Sequence, residues 1–450
     1  MPVIMGLDER LYDTLAAVFG VAPESLSAES SPASIATWDS LSHLNLIMAL
    51  EEEFGISFGP DDALQMHNAG VIRRMIGRLT GTEAGGGEEP VSAIVFRDCR
   101  RDDLPQVREF IARSYGAEYV LRTNAGYFDW QYRATPISQG QDYHLRLAWA
   151  EGTIVGFLGY IPVELSVAGR ILRAAWLANW MVEPGQRHLG LGPALIQNVG
   201  DDFEVSLAVG ANAEARDVLS RMGWTDRGML QRYVGLLDRA GAQVLGASGS
   251  LDWPGEEVRR SASPAGVSIG MVPRFGDDVT EVWDRVYGRD GETIGTRRTA
   301  PFLNWRYADH SDFPYRLFRA EAEGRTVGFA VHRVERARNA EIRVSRIVEL
   351  VADPGYEECL LSTLAADART QGAVAADYFC GDGELDGVLQ RAGYLPGDHA
   401  AAQQVPVLYQ PIDRRRAGIR FLADVRRVPE ADQLTRWYVS KADGDQDRPN

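Results

Sequence analysis

Hydrophobic positions recur at helical spacing three times within the first eighty residues. They are Leu11, Leu15, Val18 and Phe19; then Leu41, Leu44, Ile47 and Phe54; then Val71, Ile72, Met75, Ile76 and Leu79. A weaker helix is expected around Asp61, Asp62, Leu64 and Met66. Four short amphipathic helices bury their stripes best against one another, so residues 1–80 are expected to form an all-α four-helix bundle. Residues 81–90 carry several glycines and no apolar period, and read as a flexible linker spanning about 17–19 Å. Beyond them strand-like apolar runs alternate with helical ones, the pattern of an α/β fold with mixed sheets.

That second part repeats itself. Phe128-Asp129-Trp130-Gln131-Tyr132 matches Leu303-Asn304-Trp305-Arg306-Tyr307 in its aromatic pair, and Glu151-Gly152 and Gly156-Phe157 match Glu323-Gly324 and Gly328-Phe329. Glu183-Pro184-Gly185 returns as Asp353-Pro354-Gly355, and Arg221-Met222-Gly223-Trp224 as Arg391-Ala392-Gly393-Tyr394, both 170 residues on. Two copies of one α/β unit are therefore expected, at 91–239 and 267–438. Residues 240–266, rich in Gly, Ser, Ala and Pro, connect them. The polar tail 439–450 is expected to be disordered. Its Asp443, Asp445 and Asp447 resemble the start of a calcium loop, but the Gly and distal Glu such a loop needs are missing.

Composition narrows the function. A chain of 450 residues exceeds one core, and a net charge of −16 argues against nucleic acid as a partner. No apolar stretch reaches membrane-span length and no signal segment is seen, so a cytoplasmic location without a membrane partner is expected. Cys99, Cys359 and Cys380 have no metal or redox spacing and the seven His are scattered, so no metal is expected.

In the first module Ser40 lies in Trp38-Asp39-Ser40-Leu41 at the opening of a helix, with Asp39 at the N-cap position, and Glu51-Glu52-Glu53-Phe54-Gly55-Ile56 follows. Up to Leu79 the module has eleven carboxylates against four arginines. These features resemble an acyl or peptidyl carrier protein domain. The resemblance implies a 4'-phosphopantetheine arm on Ser40, attached by a phosphopantetheinyl transferase and charged by an upstream acyl- or amino-acid-activating ligase. A phosphodiester there would meet free backbone N–H groups at a helix N-terminus.

In the first α/β copy Trp176, Leu177, Trp180, Met181 and Val182 run into Glu183-Pro184-Gly185-Gln186-Arg187-His188-Leu189-Gly190-Leu191-Gly192, followed by a helix. Asn212, Ala215 and Gly223-Trp224 come later. This pattern resembles the GNAT family of acyltransferases. It implies that Gln186 to Gly192 with Asn212 cradle the pyrophosphate of acyl-CoA or acetyl-CoA, and that Met181 and Val182 offer backbone N–H groups to the thioester. Glycines allow close backbone approach, and the helix end attracts the anion. Glu164, Asn179 and Tyr160 are the catalytic candidates, Glu164 as base. Many family members place a proton-donating Tyr where this chain has Leu219. The second copy has Glu357 in place of Arg187, Leu360 in place of Gly190 and Ser362 in place of Gly192, so it is expected not to bind CoA.

Together these readings predict a carrier-linked N-acyltransferase serving bacterial natural-product or surface-sugar chemistry. An acyl group would pass from a pantetheine thioester to a small-molecule amine. Fusion favours the carrier as donor; the intact loop favours CoA, with the amine held on the carrier. Loading of the carrier by the transferase, and a non-enzymatic carrier scaffold, are the alternatives.

Overall fold

The computed structural model describes residues 6–32, 34–59, 62, 66–81, 94–138, 142–246, 249–259, 264–288, 291–310, 312–338, 341–409, 412–413 and 418–447. The expected linker beyond Gly81 lies outside these, as do Asp61 and Leu64 of the expected fourth helix. In the first module α1 (Leu7–Phe19), α2 (Ser40–Phe54) and α3 (Ala69–Leu79) pack around Leu11, Leu15, Leu50, Met66, Ile72 and Ile76. The buried side of α2 runs through His43, Leu46 and Leu50, while Leu44 and Ile47 are only half-buried. The sequence stripe missed this rotation because a histidine belongs to the buried side, where its Nδ1 accepts a 3.0 Å hydrogen bond from Trp38 Nε1. Asp39 and Ser42 cap α2 reciprocally: Asp39 Oδ1 accepts from the Ser42 amide, and Ser42 Oγ from the Asp39 amide, both at 2.8 Å. The Ser42 hydroxyl also donates to the Thr37 carbonyl at 2.6 Å, so it is engaged in holding the helix start.

The α/β part begins with β1 (Val95–Cys99), α4 (Leu104–Tyr115), α5 (Ala125–Tyr132), β2 (Tyr143–Ala150), β3 (Thr153–Val167) and β4 (Arg170–Val182). Then come α6 (Leu191–Gly200), β5 (Val205–Val209), α7 (Ala213–Arg221), β6 (Thr225–Met229) and β7 (Gln231–Leu236). A second series follows: β8 (Val267–Val272), β9 (Thr293–Thr296), β10 (Arg316–Ala322), β11 (Arg325–Arg336), β12 (Arg343–Ala352), α8 (Glu357–Thr370) and β13 (Ala373–Cys380). The chain closes with α9 (Leu385–Arg391), β14 (Leu395–Pro396), a two-stranded ribbon of β15 (Leu408–Tyr409) and β16 (Ile412–Asp413), β17 (Arg420–Asp424) and β18 (Arg436–Tyr438).

Two large sheets result, and they exchange strands. The first has the order β1-β2-β3-β4-β5-β17-β6, with β9 on β3 and β18 on β9; the second has β14-β7-β13-β12-β11-β10-β8. A boundary near residue 239 therefore divides the sequence but not the molecule. Strand β7 leaves the first series to pair with β13, and β17 returns from the far end of the chain to sit between β5 and β6. At the junction the repeated aromatic motifs meet. Trp130 Nε1 donates to the Trp305 carbonyl at 2.8 Å and Trp305 Nε1 to the Trp130 carbonyl at 3.0 Å, with the rings stacked 5.1 Å apart. Reciprocal contacts of this kind are what a two-fold relation between equivalent units produces.

Residues 439–447 of the tail are described and differ from the expectation of disorder, while 448–450 lie outside the described residues. Ser440, Asp443, Asp445 and Asp447 are buried. Arg298, wholly buried, donates to Asp443 Oδ2 at 2.7 Å and to Glu349 Oε1 at 3.0 Å, and Arg333 donates to Asp447 Oδ1 at 2.8 Å. A sequence window of aspartates reads as solvated, because the arginines that neutralise them lie more than a hundred residues away. Asp443→Asn is expected to cost about 3 kcal/mol by leaving part of the Arg298 charge unmatched. Urea denaturation followed by tryptophan fluorescence measures this, and an unchanged midpoint would show that the pair does not hold the tail.

Candidate active site

Strands β4 and β5 are parallel partners from Ala174↔Val205 to Leu177↔Ala208, and there the pairing stops while β4 continues to Val182. A bulge drives them apart. Leu158 faces Trp180 but the next residue, Gly159, faces Ala178, which makes Asn179 the extra residue of the bulge, at φ +56°. Asparagine tolerates this left-handed conformation better than most residues. Gly159 makes the bulge possible, since a Cβ there would lie 2.6 Å from the Ala178 carbonyl oxygen and from Tyr132. The opening is a cleft of about 460 Å³, walled by Leu177 to Val182 on one strand and Ala208 to Asn212 on the other.

The loop predicted to bind phosphate stands at one end. Pro184–Leu189 form a 3₁₀ turn, Gly190 takes φ +68°, and α6 starts at Leu191. Of the residues assigned to this site from the sequence, Met181, Val182, Arg187, Gly192 and Asn212 line the cleft. Gln186 and Gly190 lie in the adjoining loop and Leu191 is buried beneath it; the side chains of Ser40, His188 and Leu189 lie outside what is described. Both glycines answer to protein neighbours. A Cβ on Gly192 would sit 2.4 Å from the Trp180 ring, and one on Gly190 would sit 3.0 Å from His43 of the first module. The Arg187 Nε donates to the Val182 carbonyl at 3.3 Å. Asn212 caps α7, its Oδ1 accepting from the Ala215 amide at 2.8 Å, so its side chain fixes the wall of the cleft.

The first module rests on this end. Helix α2 packs against the 3₁₀ turn and against α7, where Arg221 Nη1 donates to Asn45 Oδ1.

At the other end a polar group surrounds the bulge. Tyr119 OH donates to Asn179 Oδ1 at 2.8 Å, and Asn179 Nδ2 donates to Tyr132 OH at 2.8 Å and to Asp445 Oδ2 at 3.0 Å. Burial, and then the Asp445 charge, raise the Tyr132 phenol well above its ordinary pKa, so it stays protonated. Tyr115, Tyr119, Asp445 and Gln446 line the cleft and were not assigned to this site from the sequence. The alternation of Asp443, Asp445 and Asp447 was visible there, but its meaning depends on which sheet each carboxylate faces.

The other two catalytic candidates do not converge on the cleft. Glu164 is exposed on β3 and paired with Arg297 Nη1 at 3.3 Å. Tyr160 is buried, donates to Asp98 Oδ1 at 3.0 Å, and has its pKa raised by burial and by that carboxylate.

The equivalent region of the second series is built differently. Helix α8 begins at Glu357, so a helical turn occupies the place of the 3₁₀ turn. Glu357 accepts from the Gly355 amide at 2.7 Å. Leu360 is buried against Gly328. The space beyond the last β12–β13 pair, Ile347↔Tyr378, receives Tyr438, whose OH donates to Glu349 Oε2 at 2.9 Å and lies 3.2 Å from the Leu350 carbonyl oxygen.

Residues 95–226, which contain β1 to α7 and the whole splayed pair, match the family model described as an acetyltransferase (GNAT) domain. Over that segment the chain is similar to GNAT acetyltransferases. Solved structures are similar over about three quarters of the chain. A conserved protein of unknown function from Enterococcus faecalis V583, described as a probable N-acyltransferase, is 10% identical, covering 76% of this chain and 74% of its own at a TM-score of 0.51. A GCN5-related N-acetyltransferase from Anabaena variabilis ATCC 29413 is 13% identical over 74% and 72%, at 0.48. The Saccharomyces cerevisiae N-myristoyltransferase with bound myristoyl-CoA is 12% identical over 76% and 84%, at 0.47.

Among the described residues no group of His, Cys, Asp or Glu is arranged to hold a metal ion, and no helix is long and apolar enough to cross a membrane. Two outcomes follow for residues 95–226. Gly192→Ala is expected to push the Trp180 ring into the cleft and lower transfer at least tenfold with the fold retained; a rate near wild type would mean the strands open freely. Arg187→Glu is expected to weaken the phosphate-bearing donor by roughly tenfold to a hundredfold, the worth of one charged hydrogen bond. Glu357→Arg should change the rate little, and steady-state kinetics on the pair distinguishes the two series.

Proposed function

We propose that this protein is an N-acyltransferase whose donor is a thioester on its own phosphopantetheine arm at Ser40, and whose acceptor is a small-molecule amine. The observation that carries this reading is the packing of α2, which begins at Ser40, directly on the loop at the mouth of the cleft. The His43 ring occupies the face of Gly190, where the loop would otherwise meet a ligand. The arm's phosphate would lie between the N-terminus of α6 and Arg187. Its two amides would run along β4 beyond Leu177, where the strand has lost β5 as a partner and can accept an extended chain as a pseudo-strand. The thioester would then reach the bulge at Asn179, with the Met181 and Val182 backbone near its carbonyl.

In this reading the second series is a support. Its helical turn at Glu357 and its filled cleft leave no room for a phosphate or an arm, which agrees with its departures from the motif in sequence.

Arg187 at the cleft favours a second version, in which acyl-CoA donates to an amine carried on Ser40. Separating residues 1–82 from the remainder distinguishes them. With the carrier as donor, the cut turns a tethered encounter into a bimolecular one, and transfer at micromolar protein should slow by up to about a thousandfold. Excess acylated carrier in trans should restore it. Full activity of the severed transferase with acyl-CoA and a free amine would sink the carrier-donor reading, and a requirement for acyl-CoA together with aminoacyl carrier would establish the second version. Ser40→Ala should abolish labelling by a phosphopantetheinyl transferase and CoA; Ser42, whose hydroxyl serves the helix cap, should not replace it.

A further inference from the structure

Among the described residues two carboxylates line the cleft, Glu214 and Asp445. Glu214 is exposed in the first turn of α7, beside the loop and the phosphate end. Asp445 is 4% exposed and meets Asn179 at the bulge, the opposite end. Its neighbours in the tail are committed elsewhere: Asp443 to Arg298, and Asp447 to Arg333 and to Tyr315 OH at 2.6 Å. Residues 441–447 run through turns and bends, with Gly444 at φ +67°, and this irregular path lets Asp445 face Asn179 and the cleft while its neighbours face Arg298 and Arg333. The segment is held tightly there. Any Cβ on Gly444 would lie 2.7 Å from Val209 Cγ1, and any Cβ on Gly210 would run into the Gln446 side chain.

We infer that Asp445 is the base that deprotonates the acceptor ammonium. This rests on acyl transfer in the cleft and is indifferent to which donor brings the thioester. The Asp445 carboxylate takes one proton from R–NH3⁺, the freed lone pair attacks the thioester carbonyl, the C–N bond forms and the C–S bond breaks. The second nitrogen proton neutralises the departing thiolate, and Asp445 returns its own proton to solvent. Asn179 orients the carboxylate through its amide, and protonated Tyr132 cannot compete for the proton. Glu164, tied to Arg297 outside the cleft, has no part in this step.

The test uses the full chain with acetyl-phosphopantetheine installed on Ser40 from acetyl-CoA, and in parallel the Ser40→Ala chain supplied with acetyl-CoA. Each is offered a primary alkylamine, protonated at pH 7, or hydroxylamine, neutral there. Asp445→Asn should slow transfer to the alkylamine by about a hundredfold or more, the worth of a positioned base, and leave transfer to hydroxylamine little changed. Equal loss with both nucleophiles, or alkylamine transfer at the wild-type rate, would overturn the assignment. If the Asn variant loses its thermal transition, Asp445→Ser carries the same comparison. Wild-type transfer from acetyl-CoA but not from the loaded arm would overturn the carrier-donor reading and leave Asp445 standing. No transfer from either donor would overturn both.

Discussion

The reciprocal stacking of Trp130 on Trp305 is the contact on which the α/β part turns. Each indole gives its N–H to the other's backbone, so neither can be moved without leaving a buried donor unpaired in both units. Around this junction the two series exchange β7 and β17, and each sheet needs a strand from the other to be complete. The halves are thereby one body. That is why residues from the end of the chain can form part of a cleft whose walls were laid down more than two hundred residues earlier.

The same splay between parallel strands has opposite fates in the two series. In the first, the bulge at Asn179 and the small residues Gly159 and Gly192 keep the strands apart and the space open. In the second, Tyr438 enters the gap and satisfies its hydroxyl on Glu349, while buried Arg298 balances Glu349 and Asp443. An interior this rich in charge is stable only when each group is matched, and the C-terminal segment supplies the matches. Filling the second cleft and lining the first are done by one short stretch, residues 436–447.

Contact between α2 and the loop ties the small helical module to the chemistry. A glycine loop before a helix serves an anion through its backbone, but Gly190 here meets the His43 ring, and Gly192 meets the Trp180 ring. The glycines of this motif therefore do two things at once in the proposed reading: they leave amides for a phosphate and leave room for neighbouring aromatic rings. A free nucleotide would have to share that face with α2.

Much was legible along the chain because it depends on local periodicity or on fixed motif spacing. The helices α1 to α3 of the first module, the strand-loop-helix around Arg187 and the repeat at a separation of 170 residues are all statements about neighbours in sequence, and backbone geometry enforces them locally. The strand exchange, the rotation of α2 toward His43 and the burial of the tail could not be read that way. Asp443, Asp445 and Asp447 have the composition of a solvated end; only the arrival of Arg298 and Arg333 makes their burial affordable and turns the middle one toward the cleft. Glu164 had the right residue type on the right strand, yet the side on which it emerges is covered by Arg297 from the other series. Sequence determined which elements form and where a glycine loop stands between strand and helix. Tertiary structure alone decided which carboxylate faces the cleft, because that depends on pairings between residues far apart in the chain.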